Sequence, residues 1–359
     1  MPPLLTGSRT PGAPLRRAAL ALALVAVTAA AFPALELWAA WRSIERVEFD
    51  PGSARDALPS TTATTQPATT TTTAPDGAAT TSSSSTTTTT LPPLPGDLTT
   101  FLIVGEDTKS DPRYDEKIRA DALMLAAVSE ATGRIGVLSI PRNLVVPDPC
   151  SGEGVQIQEL VEGCGDDVSG GELLAIAVED LLEIPVNHFV VLGFESFELL
   201  IDRVGGLQIC LENDFSPGAG HPLIIEAGCS VRNGATVLTW LRTRTGLERI
   251  GGDWIAMTGG DPARADRQRD VLVGLFLKLK AMRNPANLTA VAEELAPNLN
   301  LDDALDLGQA VGLAWRIRSL GTGAIASASL PVSQETTEAG LIAVPADDPG
   351  RFARTLFAG

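Results

Sequence analysis

Six arginines and two aspartates fall where this sequence can bring them to bear on one ligand. Asp107 directly follows an apolar run at 98–104. Arg119 and Asp121 directly precede a second at 122–128, and Arg142 follows a third that ends Ser139-Ile140-Pro141. Arg242 and Arg244 are two apart, so in extended backbone both point the same way. Arg264 and Arg267 are three apart, on one face of a helix, with Gln268 beside them. A guanidinium fork matches two phosphate oxygens at once, and paired carboxylates suit a hard cation such as Mg²⁺ that also touches phosphate. Together they describe a pyrophosphate site. Singly, each arginine more often pairs with a surface carboxylate, and spacing alone does not make the six converge.

The elements that must position them alternate. Residues 98–104 read as a buried strand, and the runs 122–128 and 134–140 as a hairpin joined by Ser129-Glu130-Ala131-Thr132-Gly133. A helix at 171–182, a strand at 188–192, a helix at 195–204 stopped by Gly205-Gly206 and a strand at 207–211 follow. A short helix covers 235–241, and Asp261-Pro262 opens a long one, proline being favoured in a first turn. Its continuation Val271-Leu272-Val273-Gly274-Leu275-Phe276-Leu277 is apolar all round, hence buried. Helices near 287–295 and 301–316 and a strand near 326–330 complete an α/β domain with a central mixed sheet flanked by helices.

Composition frames this domain. With 44 Asp+Glu against 27 Lys+Arg, the 359-residue chain has a formal charge of −17, which repels nucleic-acid backbones. Residues 18–35 are apolar and follow Arg9, Arg16 and Arg17. An uncleaved transmembrane signal-anchor at 18–41 is expected, with 1–17 cytoplasmic and the main domain extracytoplasmic. Trp38 and Trp41 would sit at the outer interface. A cleaved signal peptide is the competing reading, though large residues occupy the would-be cleavage site. Residues 51–96, rich in Thr, Ser and Pro, read as a disordered stalk, 97–330 as the domain and 331–359 as a C-terminal extension. The four cysteines, Cys150, Cys164, Cys210 and Cys229, suit disulfides in an oxidising compartment. Three pairings are possible, and spacing favours Cys150–Cys164 and Cys210–Cys229 over free thiols or a zinc site.

Six segments resemble, in order, the LytR-CpsA-Psr (LCP) family over residues 98–320. They are Phe101-Leu102-Ile103-Val104-Gly105-Glu106-Asp107, Arg119-Ala120-Asp121, Ser139-Ile140-Pro141-Arg142, the stretch from Ile184-Pro185-Val186-Asn187-His188-Phe189 to Val204-Gly205-Gly206, Asn233-Gly234 through Trp240-Leu241-Arg242-Thr243-Arg244, and Asp261-Pro262-Ala263-Arg264-Ala265-Asp266-Arg267-Gln268. The resemblance implies a Mg²⁺-dependent phosphotransferase that moves a glycopolymer from a polyprenyl-pyrophosphate carrier to peptidoglycan in cell-wall assembly. It implies that Asp107 and Asp121 hold the metal and act with Arg142 in catalysis. Arg119, Arg142, Arg242, Arg244, Arg264, Arg267 and Gln268 would bind the substrate, and the apolar helix would line a lipid tunnel. An Ala/Gly/Arg-rich composition agrees with an actinobacterial source. The chain departs from the family at Lys109, Asn143 and Gln156, where the family carries Arg, an acid and Lys. These departures keep open a non-catalytic LCP-like protein that binds polyprenyl phosphate or wall polymer. A regulator of transcription is disfavoured by charge and by the lack of a helix-turn-helix signal.

Overall fold

The apolar runs are unbroken because their strands are covered on both faces. The computed structural model describes residues 35–59, 93–106, 120–129, 131–258, 260–321, 324–337 and 340–358. Strands β2 (Leu98–Glu106), β3 (Ala120–Ser129) and β4 (Arg134–Ile140) form an antiparallel centre. Leu102, Val104, Leu123, Leu125, Leu138 and Ile140 enter one core. Ala122, Met124, Val128, Ile135 and Val137 enter another on the opposite face, with Ile103 packed against it. The sheet widens to seven strands in the order β1 (Glu45–Val47), β13 (Leu299–Asp302), β7 (His188–Gly193), β2, β3, β4, β14 (Ile325–Ser329). The β1–β13, β7–β2 and β14–β4 pairs are parallel and the rest antiparallel, so the sheet is mixed as expected.

Helices close both faces. α3 (Gly170–Leu182) begins at a capping box of Ser169 and Glu172, and contacts α2 (Pro51–Ala57) and α9 (Pro349–Ala358) over the first core. Phe357 of α9 lies where a Cβ on Gly136 would come within 2.2 Å of its ring, so only glycine fits at that point of β4. On the other face, α6 (Gly260–Ala281) supplies Leu272, Val273 and Phe276, and α8 (Leu307–Ser319) supplies Leu313 and Ile317. Val271 and Leu275 of α6 instead join a third core. That core is shared with α4 (Phe194–Arg203), α5 (Gly234–Arg242), α7 (Pro285–Leu295) and β8 (Leu207–Leu211). Residues 271–277 of the helix are apolar all round because that stretch lies between two cores.

Smaller ladders complete the fold. They are β5 (Val145–Pro147) with β6 (Gly154–Gln156), β8 with β10 (Gly228–Arg232), β9 (Phe215–Ser216) with β11 (Leu247–Ile250) and β12 (Asp253–Ala256), and β15 (Val332–Thr337) with β16 (Gly340–Pro345). Both expected disulfides are present. Cys210 and Cys229 face each other across the β8–β10 ladder, and Cys150–Cys164 closes the loop that holds β6.

Three boundaries differ from expectation. Residues 51–57 do not begin a stalk: they form α2, and Ala54 and Phe49 are buried in the first core, Phe49 stacking on Phe189 at 5.5 Å. The Thr/Ser/Pro tract therefore lies between two segments of one domain rather than between an anchor and a domain. The C-terminal extension is likewise part of the fold, since Ala343, Ala353 and Phe357 are core residues. The helix expected from 301 starts at 307, because residues 299–302 fill the gap between β1 and β7 as a strand. Of the expected anchor at 18–41, residues 18–34 lie outside the described residues, as do 1–17, and residues 35–43 form a helix, α1, with Ala40 buried. Among the described residues no helix is long and apolar enough to cross a membrane.

Candidate functional site

Asp121 stands at the start of β3, 8% exposed, and three arginines from three elements converge on its Oδ1. Arg142, just after β4, donates to Oδ1 through Nη1. Arg264 of α6 places Nη2 3.2 Å from the same oxygen and donates to the Asp121 carbonyl at 2.9 Å. Arg244 lies 3.7 Å away and is half exposed. Among the described residues one carboxylate thus faces three guanidinium groups, a local cationic excess in a chain of net charge −17. Burial pulls the Arg264 pKa down from its ordinary value, Asp121 opposes the fall, and Arg142 and Arg244 add to it. A guanidinium nonetheless keeps its charge. The cluster is cationic, partly dry and open through Arg244.

Local sequence explains each placement. Asn233 caps α5 by accepting from Thr236 N at 3.1 Å, and Gly234 passes so close to the Glu198 carbonyl that a Cβ would meet it at 2.1 Å. That approach packs α5 on α4 and sets the angle at which Arg242 and Arg244 leave. The expected same-side geometry of these two does not hold. Arg242 is the last residue of α5, half buried, and only from Thr243 does the chain turn extended. Arg267, one helical turn beyond Arg264, donates to the Thr243 carbonyl at 2.6 Å and lies over the Trp240 ring at 5.7 Å. Burial, then the nearby Arg264, lowers its pKa, with Glu248 and Asp266 opposing. It locks the α5 end against α6. Trp240, two residues before Arg242 in the same segment, was the available signal for this partner.

Gln268 meets no other polar side chain, among the described residues, in the cleft it borders. It lines an apolar cleft of about 40 Å³ with Ile103, Gly105, Ala122, Met124, Leu192, Phe197, Leu241 and Leu272. The lining of this cleft includes Ala122, the residue after Asp121 on β3, and Gln268, one helical turn beyond Arg264 on α6. A larger cavity, of about 440 Å³, is lined by Glu48, Asp50, Glu162, Asp166, Asp167 and Glu172, whose charge repels phosphate. Asp107, Arg119 and Lys109 lie outside the described residues. At the departures, Gln158 donates to Gln156 Oε1 at 2.8 Å, while Asn143 is buried and donates to the Leu341 carbonyl.

The donor set also bears on magnesium. Mg²⁺ is commonly held by one or two carboxylates with waters and substrate phosphates, and Asp121 is one such carboxylate. Among the described residues no group of three or more His, Cys, Asp or Glu is placed to hold an ion. Asp107, the second carboxylate expected to hold the ion, lies outside the described residues.

A family model described as the LytR_cpsA_psr family matches residues 61–349. The chain belongs to the LytR-CpsA-Psr family. A relative in Corynebacterium glutamicum, named cell wall biosynthesis protein LcpA, is 26% identical over 277 residues, covering 66% of this chain and 50% of that protein. Another, in Enterococcus faecalis, named polyisoprenyl-teichoic acid--peptidoglycan teichoic acid transferase TagU, is 28% identical over 231 residues, covering 62% and 70%. The match thus spans half the length of LcpA. The LytR-Csp2A-Psr enzyme from Actinomyces oris superposes with a TM-score of 0.59 at 21% identity, over 75% of this chain and 93% of that one. That likeness shows that the central mixed sheet with its helices is the LytR-CpsA-Psr fold.

Proposed function

We propose that this protein transfers a glycopolymer from a polyprenyl-pyrophosphate carrier to peptidoglycan at the outer face of the membrane. The observation that carries the reading is the convergence of Arg142, Arg244 and Arg264 beside an apolar cleft. A prenyl pyrophosphate has just these two parts, an anionic head and an apolar tail. The transferase names of TagU-type relatives and the wall-biosynthesis name of LcpA support it. In the proposed reaction an acceptor hydroxyl oxygen bonds to the phosphorus that bears the glycopolymer. The bond from that phosphorus to the bridging oxygen breaks, and prenyl monophosphate leaves. The hydroxyl proton passes to a carboxylate of the Asp107–Asp121 pair. Arg142 and Arg264 hold the charge that grows on the leaving phosphate, and Arg244, at the opening, meets the incoming head group. Magnesium, held by Asp121 with Asp107 and phosphate oxygens, would neutralise the pyrophosphate further. The cleft is too small for a prenyl unit as it stands, so Met124, Phe197 and Leu272 have to part to admit the tail.

Arg244 gives the clean test. Its ion pair is half exposed, and such pairs contribute about 0–1 kcal/mol to stability. Arg244→Lys should leave thermal stability unchanged and reduce release of prenyl monophosphate by about thirty- to a thousandfold, equivalent to about 2–4 kcal/mol, because an ammonium lacks the two-donor fork. Unchanged turnover would remove the site assignment. No turnover by the wild type on any prenyl-pyrophosphate glycan would favour the binding-protein reading, which the cation-free Gln156–Gln158 pair supports.

A further inference from the structure

The outer face of α8 is built unlike an ordinary surface helix. Leu313 and Ile317 face the core, yet Val311 and Trp315, four apart on another face, are 47% and 74% exposed. Residues 307–320 also carry Arg316 and Arg318 and no acid, in a chain of net charge −17. A helix apolar on two sides, with tryptophan and arginine outward, suits the plane where lipid headgroups meet acyl chains. Its position agrees. β1 pairs with β13, and Arg46 donates to the carbonyls of Asp302 and Leu305, immediately before Asp306 caps α8. The start of α8 is therefore pinned to the segment that runs back through α1, where Leu35 and Trp38 are 63% and 49% exposed, to the apolar residues 18–35.

We propose that the outer face of α8 rests on the headgroup layer of an anionic bilayer, with Trp315 at the boundary and Arg316 and Arg318 toward lipid phosphates. The inference rests on the membrane placement proposed above. Acidic surface elsewhere is repelled by anionic lipid, so α8 selects which side of the domain faces the membrane. The helix is about 20 Å long, enough to fix that orientation.

The experiment places the full chain in phosphatidylcholine/phosphatidylglycerol nanodiscs whose acyl chains carry bromine near the headgroup. Bromine should quench tryptophan fluorescence of the wild type more than that of Trp315→Phe. Arg316→Glu with Arg318→Glu should lose that difference, as should nanodiscs of phosphatidylcholine alone. Equal quenching of wild type and Trp315→Phe overturns the proposal, and so does cross-linking of two copies through position 315, which would make a second copy the occupant. A chain that does not float with vesicles overturns the membrane placement and this inference together. One that floats with Trp315 unquenched overturns this inference alone.

Discussion

Asp121 is the counter-ion of a buried cation before it is anything else. Arg264, with its side chain 4% exposed, depends on the Asp121 carboxylate and carbonyl, and removing one partner of such a pair commonly costs about 3–5 kcal/mol. Asp121→Ala should therefore lower the melting temperature markedly, which differential scanning calorimetry would register. Pyrophosphate should partly restore it by taking the vacated place, about 2.7 kcal/mol at a hundred times its Kd. An undiminished melting temperature would mean the cluster relaxes and the carboxylate is dispensable. The residue types at this site were legible, since Arg142, Arg244 and Arg264 stand in recognisable segments. Who pairs with whom was not. Three elements up to 143 positions apart meet at one oxygen, and Arg267, equally suggestive in the sequence, turns to the Thr243 carbonyl.

At the scale of elements, the join between β13 and β7 depends on Asp302. It is fully buried, accepts from His188 Nδ1 at 3.1 Å and Leu305 N at 2.9 Å through Oδ1, and from Phe189 N at 3.1 Å through Oδ2. Burial pushes its pKa up, but the His188 contact and the two backbone donors outweigh this and hold it below the ordinary carboxylate value. A depressed folded pKa means stability that is complete above the unfolded value, near 4, and lost as pH falls through the folded one. Asp302→Asn should be less stable than wild type at pH 7, with the gap closing below about pH 4; urea midpoints across pH would show it. A gap that persists at low pH would place the effect in packing instead. The strand at 299–302 was not legible, and its last two residues were placed in the helix expected from 301, because Leu-Asn-Leu-Asp is too short to display a strand period and its partners lie far along the chain. By contrast β2, β3 and β4 were legible, since burial on two faces writes a continuous apolar run.

For the whole molecule, the net charge of −17 repels nucleic-acid backbones yet hid the local arginine cluster, because a sum carries no positions. The disulfides were readable from spacing, as the two loops are short. Cys150–Cys164 closes 14 residues around Gln156 and Gln158, whose backbone donates to the Arg142 carbonyl. Reduction of this bond should cost about 3 kcal/mol, measured as a lower denaturant midpoint with thiol present. An unchanged midpoint would mean the β5–β6 ladder holds the loop unaided.

The placement of β1 and α2 on the same fold as β2 carries one more consequence. A polypeptide whose connecting tract runs between two seated segments does not need that tract to stay whole. If a protease site is set between residues 60 and 92 and cut, the fragment ending there keeps its strand beside β13 and Phe49 against Phe189. The two fragments should co-elute as one particle in native buffer and part only in denaturant. Neither disulfide links them, since all four cysteines lie on the C-terminal piece. The molecule would then be a split protein, reassembled by a three-residue strand and a handful of apolar side chains.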